Sequence, residues 1–188
     1  MTTIYFVRHA EPDLNHRDDA LRPLTTKGKA DSMRLSEFFR DRGVDYVYSS
    51  PLRRAVETVK PLAERYEKTI YLERDFSERK IDDEWIDNYD EFLERQWSDF
   101  LYKRKSGECL QTVQDRNIAA TNMLLLKHRN KKVVVGSHEN ALGTVINYYT
   151  KKFGYEELTK VKNLRPWIVQ FTFNGVECVD VCDYCLDA

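Results

Sequence analysis

Three strand-length runs in this 188-residue chain end in side chains suited to a phosphoryl group. Thr3 to His9 closes on Arg8-His9, Val44 to Ser49 leads through Ser50 to Arg53-Arg54, and Lys132 to Ser137 is followed by His138. In open α/β sheets, ligands bind beyond the carboxyl ends of the strands. A parallel sheet would therefore gather Arg8, His9, an arginine from the Arg53/Arg54 pair and His138 around one anion. Guanidinium forks match phosphate oxygens and stay charged, so they can neutralise those oxygens without a metal. One imidazole can then attack phosphorus, while the second, when protonated, donates to the charge that spreads in the transition state. That chemistry is phosphoryl transfer through a phosphohistidine, with no cofactor.

The elements that must position these groups alternate as in an α/β protein. After the first strand, Thr25 to Arg42 has helical spacing and ends at Gly43, a residue that tolerates the left-handed turn past a helix. Ser50-Pro51 has the form of an N-cap and first turn for a helix from Leu52 to about Tyr66. Thr69 to Leu72 is a third, weaker strand. The stretch from Asp83 to Lys105, with Trp85, Tyr89, Phe92, Trp97, Phe100 and Tyr102, has the composition of a helical insertion. Thr112-x-x-Asp115 has capping-box spacing, and Val113, Asn117, Ala120 and Leu124 share one face of the helix that follows, which Asn130 closes. Valine-rich Lys132 to Ser137 reads as a strand buried on both faces. A helix from Asn140 to Lys152 is next, and Trp167 to Phe173 with Glu177 to Cys182 form a hairpin across Asn174-Gly175.

Composition narrows the partners. Thirty Lys and Arg against 31 Asp and Glu give no basic excess, which argues against a nucleic-acid binder. No apolar stretch approaches the length of a spanning helix, so no membrane partner is expected. The chain runs from Met1 directly into its first strand without an export signal, so the expected location is cytoplasmic, where cysteines remain reduced. Cys182-x-x-Cys185 has ligand-like spacing, but no second paired motif completes a metal site, so no metal is expected there. His16 and His128 have no supporting context and are expected to be exposed.

Arg8-His9-Ala10-Glu11, with Asn15 four residues later, resembles the RHGE…N signature of the histidine phosphatase superfamily, the phosphoglycerate-mutase-like proteins. Further segments agree in the same order: Leu24-Thr25-x-x-Gly28-x-Ala30, Ser50-Pro51-Leu52-Arg53-Arg54-Ala55-x-x-Thr58, Gly107-Glu108-Cys109 with Arg116, and Gly136-Ser137-His138. The resemblance runs from Ile4 to about Asn147 and lies nearest the phosphatase branch of alpha-ribazole and broad-specificity phosphatases. It implies an α/β three-layer sandwich, with a mostly parallel central sheet flanked by helices. The whole chain, 1–188, would be one such domain, with a helical insertion at about 82–107. It also implies that His9 is the phosphorylated nucleophile and that Arg8, Asn15, Arg54 and His138 hold the phosphoryl group. Arg54 rather than Arg53 is the match, because alanine follows it. Leu72-Glu73-Arg74-Asp75-Phe76-Ser77 resembles the segment that supplies the acid/base carboxyl, which assigns that role to Glu73, with Glu78 as a second candidate. Ala10, Ser77 and Glu139 stand where the pattern has glycine, and a carboxylate at 139 beside a dianion is expected to repel it unless paired with a cation.

The expected reaction is therefore metal-independent hydrolysis of a small phosphomonoester, by a monomer or a homodimer. Phosphoglycerate-mutase-type transfer is the alternative, although it calls for longer substrate-closing insertions than this chain has. A phosphometabolite-binding protein without turnover is a third reading, suggested by Glu139 and Ser77.

Overall fold

A computed structural model describes residues 1–84 and 86–186; the reading made above for Trp85 lies outside the described residues. Six strands form one sheet in the order β3-β2-β4-β1-β5-β6. They are β1 (Thr2–Arg8), β2 (Tyr46–Ser49), β3 (Ile70–Leu72), β4 (Lys132–Ser137), β5 (Trp167–Asn174) and β6 (Glu177–Cys185). The first four pair in parallel and the last two run antiparallel, so the mixed α/β architecture is the one the sequence suggests. Helices α1 (Thr26–Phe38), α2 (Arg53–Arg65), α3 (Tyr89–Ser98), α4 (Leu110–Lys127), α5 (Glu139–Thr150) and α6 (Tyr155–Val161) complete the fold. No described helix is long and apolar enough to cross a membrane.

Alternation along the central strands explains why helices cover both faces. Tyr5, Val7, Val47 and Val134 pack with Leu35 of α1, Phe39 just past its end, and Val59 and Leu62 of α2. Ile4, Phe6, Val133 and Val135 pack on the other side with Phe76, Trp97, Leu110 and Val145. Single valines of β4 thus serve alternate layers, and the strand is buried from Val133 to Ser137.

Several boundaries differ from the sequence reading. Helix α1 ends at Phe38, and four residues of turn precede Gly43, whose φ of +69° starts the descent into β2. Ser50 is not the cap of α2, because Leu52 occupies that position. Helix α4 begins at Leu110 behind Cys109, so Thr112 lies inside the first turn and its hydroxyl meets Cys109 Sγ at 3.2 Å. The stretch read as helical insertion holds one helix, α3, between irregular segments. Helix α6 carries no strong periodic signal and was not anticipated, and β6 runs three residues beyond Cys182. His128 is buried at 4% exposure, against expectation. Its ring lies 3.9 Å from that of Tyr46, and Nε2 meets the Tyr48 hydroxyl at 2.9 Å. A histidine just past a helix end finds this place because two tyrosines from β2 leave an aromatic slot that no local sequence pattern reveals.

Candidate active site

The parallel ladders continue one residue past the strand ends and bring four of them into line. The backbone N–H of Glu73 donates to Ser49 O at 2.9 Å, Ser50 N–H to Gly136 O at 2.9 Å, and His9 N–H to Ser137 O at 3.0 Å. Glu73, Ser50, His138 and His9 therefore emerge side by side at the carboxyl edge of β3, β2, β4 and β1, although up to 129 positions separate them in the chain. This is the edge at which α/β sheets bind ligands.

The two imidazole rings are 5.3 Å apart between centroids. His9 is 9% exposed and His138 fully buried. Nδ1 of His9 lies 2.8 Å from Ala10 O, and because a carbonyl can only accept, Nδ1 carries the proton and Nε2 keeps the lone pair. Burial, followed by the charges of His138 and Arg54, holds His9 well below the ordinary histidine pKa. The neutral ring is thus the resting form at neutral pH. Burial and the neighbouring Arg54, Arg116 and Arg8 do the same to His138. Its Nε2 meets Ser50 Oγ at 2.8 Å, and Nδ1 has no hydrogen-bond partner among the described residues. The Ser50 hydroxyl, read from sequence as a helix cap, accepts from the Leu52 N–H at 3.2 Å and also contacts the second histidine.

Arg8 is 1% exposed. Its Nη1 donates to Val161 O, Lys162 O and Leu164 O at 3.0 to 3.3 Å, and Nη2 pairs with Glu139 Oε2 at 3.1 Å. Burial pushes the guanidinium down to about 10 against the pull of Glu139, so it remains charged at neutral pH. Nε has no partner among the described residues. Arg54, 5% exposed, donates from Nη1 to Asp19 O at 2.7 Å and pairs with the Asp19 carboxylate at 3.2 Å. Arg53, by contrast, pairs with Glu57 at the surface. The geometry thus separates the two arginines, which position alone does not. Both Arg8 and Arg54 are held by carboxylates, and Asp19 was not singled out in the sequence because a loop aspartate gives no periodic or motif signal.

The candidate carboxyls differ sharply. Glu73 lies at the end of β3, and its Oε1 accepts from the N–H of Asp75 at 3.2 Å. Glu78 is clamped by the N-terminus of α5: Oε2 accepts from Asn140 N–H at 3.1 Å, and Oε1 from Ala141 N–H at 3.3 Å and Arg79 N–H at 2.9 Å. Burial works to raise its pKa, but the Arg79 charge and the amides of Arg79 and Asn140 outweigh it and hold the carboxyl low. Glu139 goes the other way, because burial outweighs Arg8 and leaves its pKa raised. Asn15 is exposed in the loop after β1, where its N–H donates to Asp13 Oδ1; no described contact ties its side chain to the imidazoles.

Supporting residues explain the remaining motif positions. Thr25 caps α1 through the N–H of Gly28, where a Cβ would stand 2.3 Å from Glu11 O, so only glycine lets the helix meet the loop behind His9. Thr58 Oγ1 accepts from Ala10 N–H at 2.9 Å and fixes the residue after His9. Arg116 donates to Asp75 O, Ser77 O and Glu78 O and pairs with Glu108 at 3.0 Å, tying down the segment that carries both carboxyl candidates.

Comparison with known proteins places the chain in a family and supports the fold. A family model described as histidine phosphatase superfamily (branch 1) matches residues 4–183. Among curated relatives, an uncharacterized phosphatase PhoE of Bacillus subtilis is 27% identical over 150 residues, which are 78% of this chain and 76% of that protein. Phosphoserine phosphatase 1 of Hydrogenobacter thermophilus is 28% identical, covering 73% of this chain and 71% of its own. The solved structure of Bacillus stearothermophilus YhfR superposes with a TM-score of 0.78 at 23% identity, over 95% of this chain and 94% of that one.

Proposed function

From the premise that this chain belongs to the histidine phosphatase superfamily, we propose that it hydrolyses a small phosphomonoester without a metal, through a phosphohistidine on His9. The observation that carries the reading is the resting state of His9: the proton is on Nδ1, the lone pair on Nε2, and the ring is neutral beside two guanidiniums and a second imidazole.

The phosphoryl dianion docks between Arg8, Arg54 and His138, and its charge draws a proton onto His138 and raises that ring's pKa. Nε2 of His9 attacks phosphorus, the ester P–O bond breaks, and the leaving alkoxide takes a proton from the carboxyl of Glu73. The Glu73 carboxylate then removes a proton from water as the water attacks phosphorus. The P–N bond breaks, returning the electron pair to Nε2 and releasing inorganic phosphate. Glu78 is the weaker candidate for the proton donor, since four donors hold it in the ionised form. Asn15 reaches the phosphoryl group in this reading only if its loop closes over bound substrate.

Release of phosphate from an aryl phosphate in the presence of a chelator tests the proposal. The wild type turns over and His9→Ala does not, and a denaturing quench of the wild type at alkaline pH captures an acid-labile, alkali-stable phosphoprotein. Equal release by both proteins excludes the reading. Interconversion of 3- and 2-phosphoglycerate much faster than phosphate release replaces it with the mutase reading.

A further inference from the structure

Glu139 touches both the phosphoryl centre and a cavity beside it. Oε2 is 3.1 Å from Nη2 of Arg8, and the same side chain lines a small cavity between α3 and α6, walled by Tyr89, Leu93, Tyr155 and Leu158. Two other charged residues line that space, Asp90 and Lys162, and they neutralise each other at 3.1 Å. What remains facing the cavity is Glu139, whose Oε1 accepts no hydrogen bond from the described residues. Arg8 does not cancel this charge once substrate is bound. Its Nη1 is committed to three carbonyls after α6, and the phosphoryl oxygens compete for the rest of the guanidinium.

We propose that Glu139 sets substrate choice: the leaving alcohol carries an ammonium group seated in the α3/α6 cavity against Glu139, and alcohols carrying a carboxylate are rejected. The inference rests on the hydrolase reading above. A buried carboxylate next to an incoming dianion is costly unless a cation joins it; Lys162, the cation lining the cavity, is paired with Asp90, and Arg165 and Arg79, whose charges also act on Glu139, make no hydrogen bond to it among the described residues. Burial has already raised the Glu139 pKa, so a substrate ammonium has a desolvated partner to meet. The competing view is that Glu139 only steadies Arg8, which would affect every substrate alike.

Three two-carbon phosphomonoesters of nearly equal size separate these views: 2-aminoethyl phosphate, 2-hydroxyethyl phosphate and phosphoglycolate, with p-nitrophenyl phosphate as a reporter lacking a distal charge. The expected order of kcat/KM in the wild type is amine over alcohol over acid, with steps of about tenfold, as for one charge pair in a partly buried site. Glu139→Gln compresses the steps to within about twofold, and Glu139→Lys reverses the order. A flat or inverted series in the wild type overturns the proposal, as does Glu139→Gln slowing all three esters by the same factor. If p-nitrophenyl phosphate is hydrolysed with dependence on His9 while the series is flat, only the role of Glu139 falls. If no ester is hydrolysed with dependence on His9, the hydrolase reading falls and this inference with it.

Discussion

Asp19 holds Arg54 twice, accepting from Nη1 through its backbone oxygen at 2.7 Å and pairing through its carboxylate at 3.2 Å. The aspartate side chain is 61% exposed and the guanidinium 5%, so the carboxylate lies between solvent and a cation that the proposed reaction assigns to phosphate. Substrate must displace it or share the fork with it. Asp19→Asn keeps the backbone contact and removes the competing charge. The expected result is a competitive inhibition constant for inorganic phosphate lower by roughly threefold to tenfold, the scale of one screened charge pair. An unchanged or higher constant would show that Asp19 orients Arg54 rather than competing for it.

Ser50 is the only described hydrogen-bond partner of the His138 ring, at 2.8 Å from Nε2. Without the hydroxyl, the ring loses its orientation, and its donor no longer points where charge develops in the transition state. Ser50→Ala should lower kcat by about tenfold to a hundredfold while KM moves much less, as for loss of a group that acts mainly in the transition state. Ser50→Thr, which restores the oxygen, should recover part of the rate. A change confined to KM would place Ser50 in ground-state binding instead.

The residues to which the proposed chemistry falls were legible as candidates because each closes a strand, and strand ends announce themselves as polar side chains after apolar runs. His9 and His138 belong to that class, and the sheet order then does the rest by placing β4 between β1 and β2. What sequence could not show is where the polar side chains turn. Ser50 has the position and type of a helix cap, yet its hydroxyl is drawn to a buried imidazole that only tertiary pairing supplies. Asp19 carries a charge that looks like a surface charge until the fold sets it on a buried guanidinium, and for Glu139, whose need of a cation was legible, sequence could not show that the cation is Arg8. His128 has the look of an exposed residue past a helix end, and the slot between Tyr46 and Tyr48 that buries it comes from a strand 80 residues earlier.

Acid should destabilise the fold before its carboxylates titrate. His9, His138 and His128 all have native pKa values below the ordinary histidine value, with burial as the leading cause. In such a group the unfolded state binds more protons. The stability it contributes is therefore fully present above the unfolded pKa, near 6.5, and is lost as pH falls toward the native value. The limiting slope is about 1.4 kcal/mol per pH unit for each histidine. Glu139 opposes this only between its unfolded value and its raised native pKa, where the native state binds the extra proton; below that window both states are protonated. The thermal midpoint should hold from pH 8 to 7 and fall steeply from 6.5 to 5. His128→Asn should flatten part of that fall without abolishing turnover. A midpoint constant down to pH 5 would mean that these rings are protonated in the native state.

Arg116 offers a test of whether the segment after β3 carries the proton donor. Its guanidinium binds Asp75 O at 2.6 Å, Ser77 O at 2.8 Å and Glu78 O at 3.3 Å, with Glu108 holding the other side. Removing it frees the loop that follows Glu73 but leaves both histidines and both arginines of the pocket in place. Ester cleavage needs a proton donor most when the leaving group is a basic alkoxide and least when it is a stabilised phenolate. Arg116→Ala should therefore slow hydrolysis of an alkyl phosphate at least tenfold more than that of p-nitrophenyl phosphate, and Glu73→Gln should show the same asymmetry more strongly. Arg116→Lys, which keeps a cation but not the fork, should fall between wild type and alanine. If Glu73→Gln slows both esters equally while Glu78→Gln discriminates between them, the acid/base role moves to Glu78. If Arg116→Ala lowers the thermal midpoint but slows both esters equally, Arg116 braces the fold without positioning the donor.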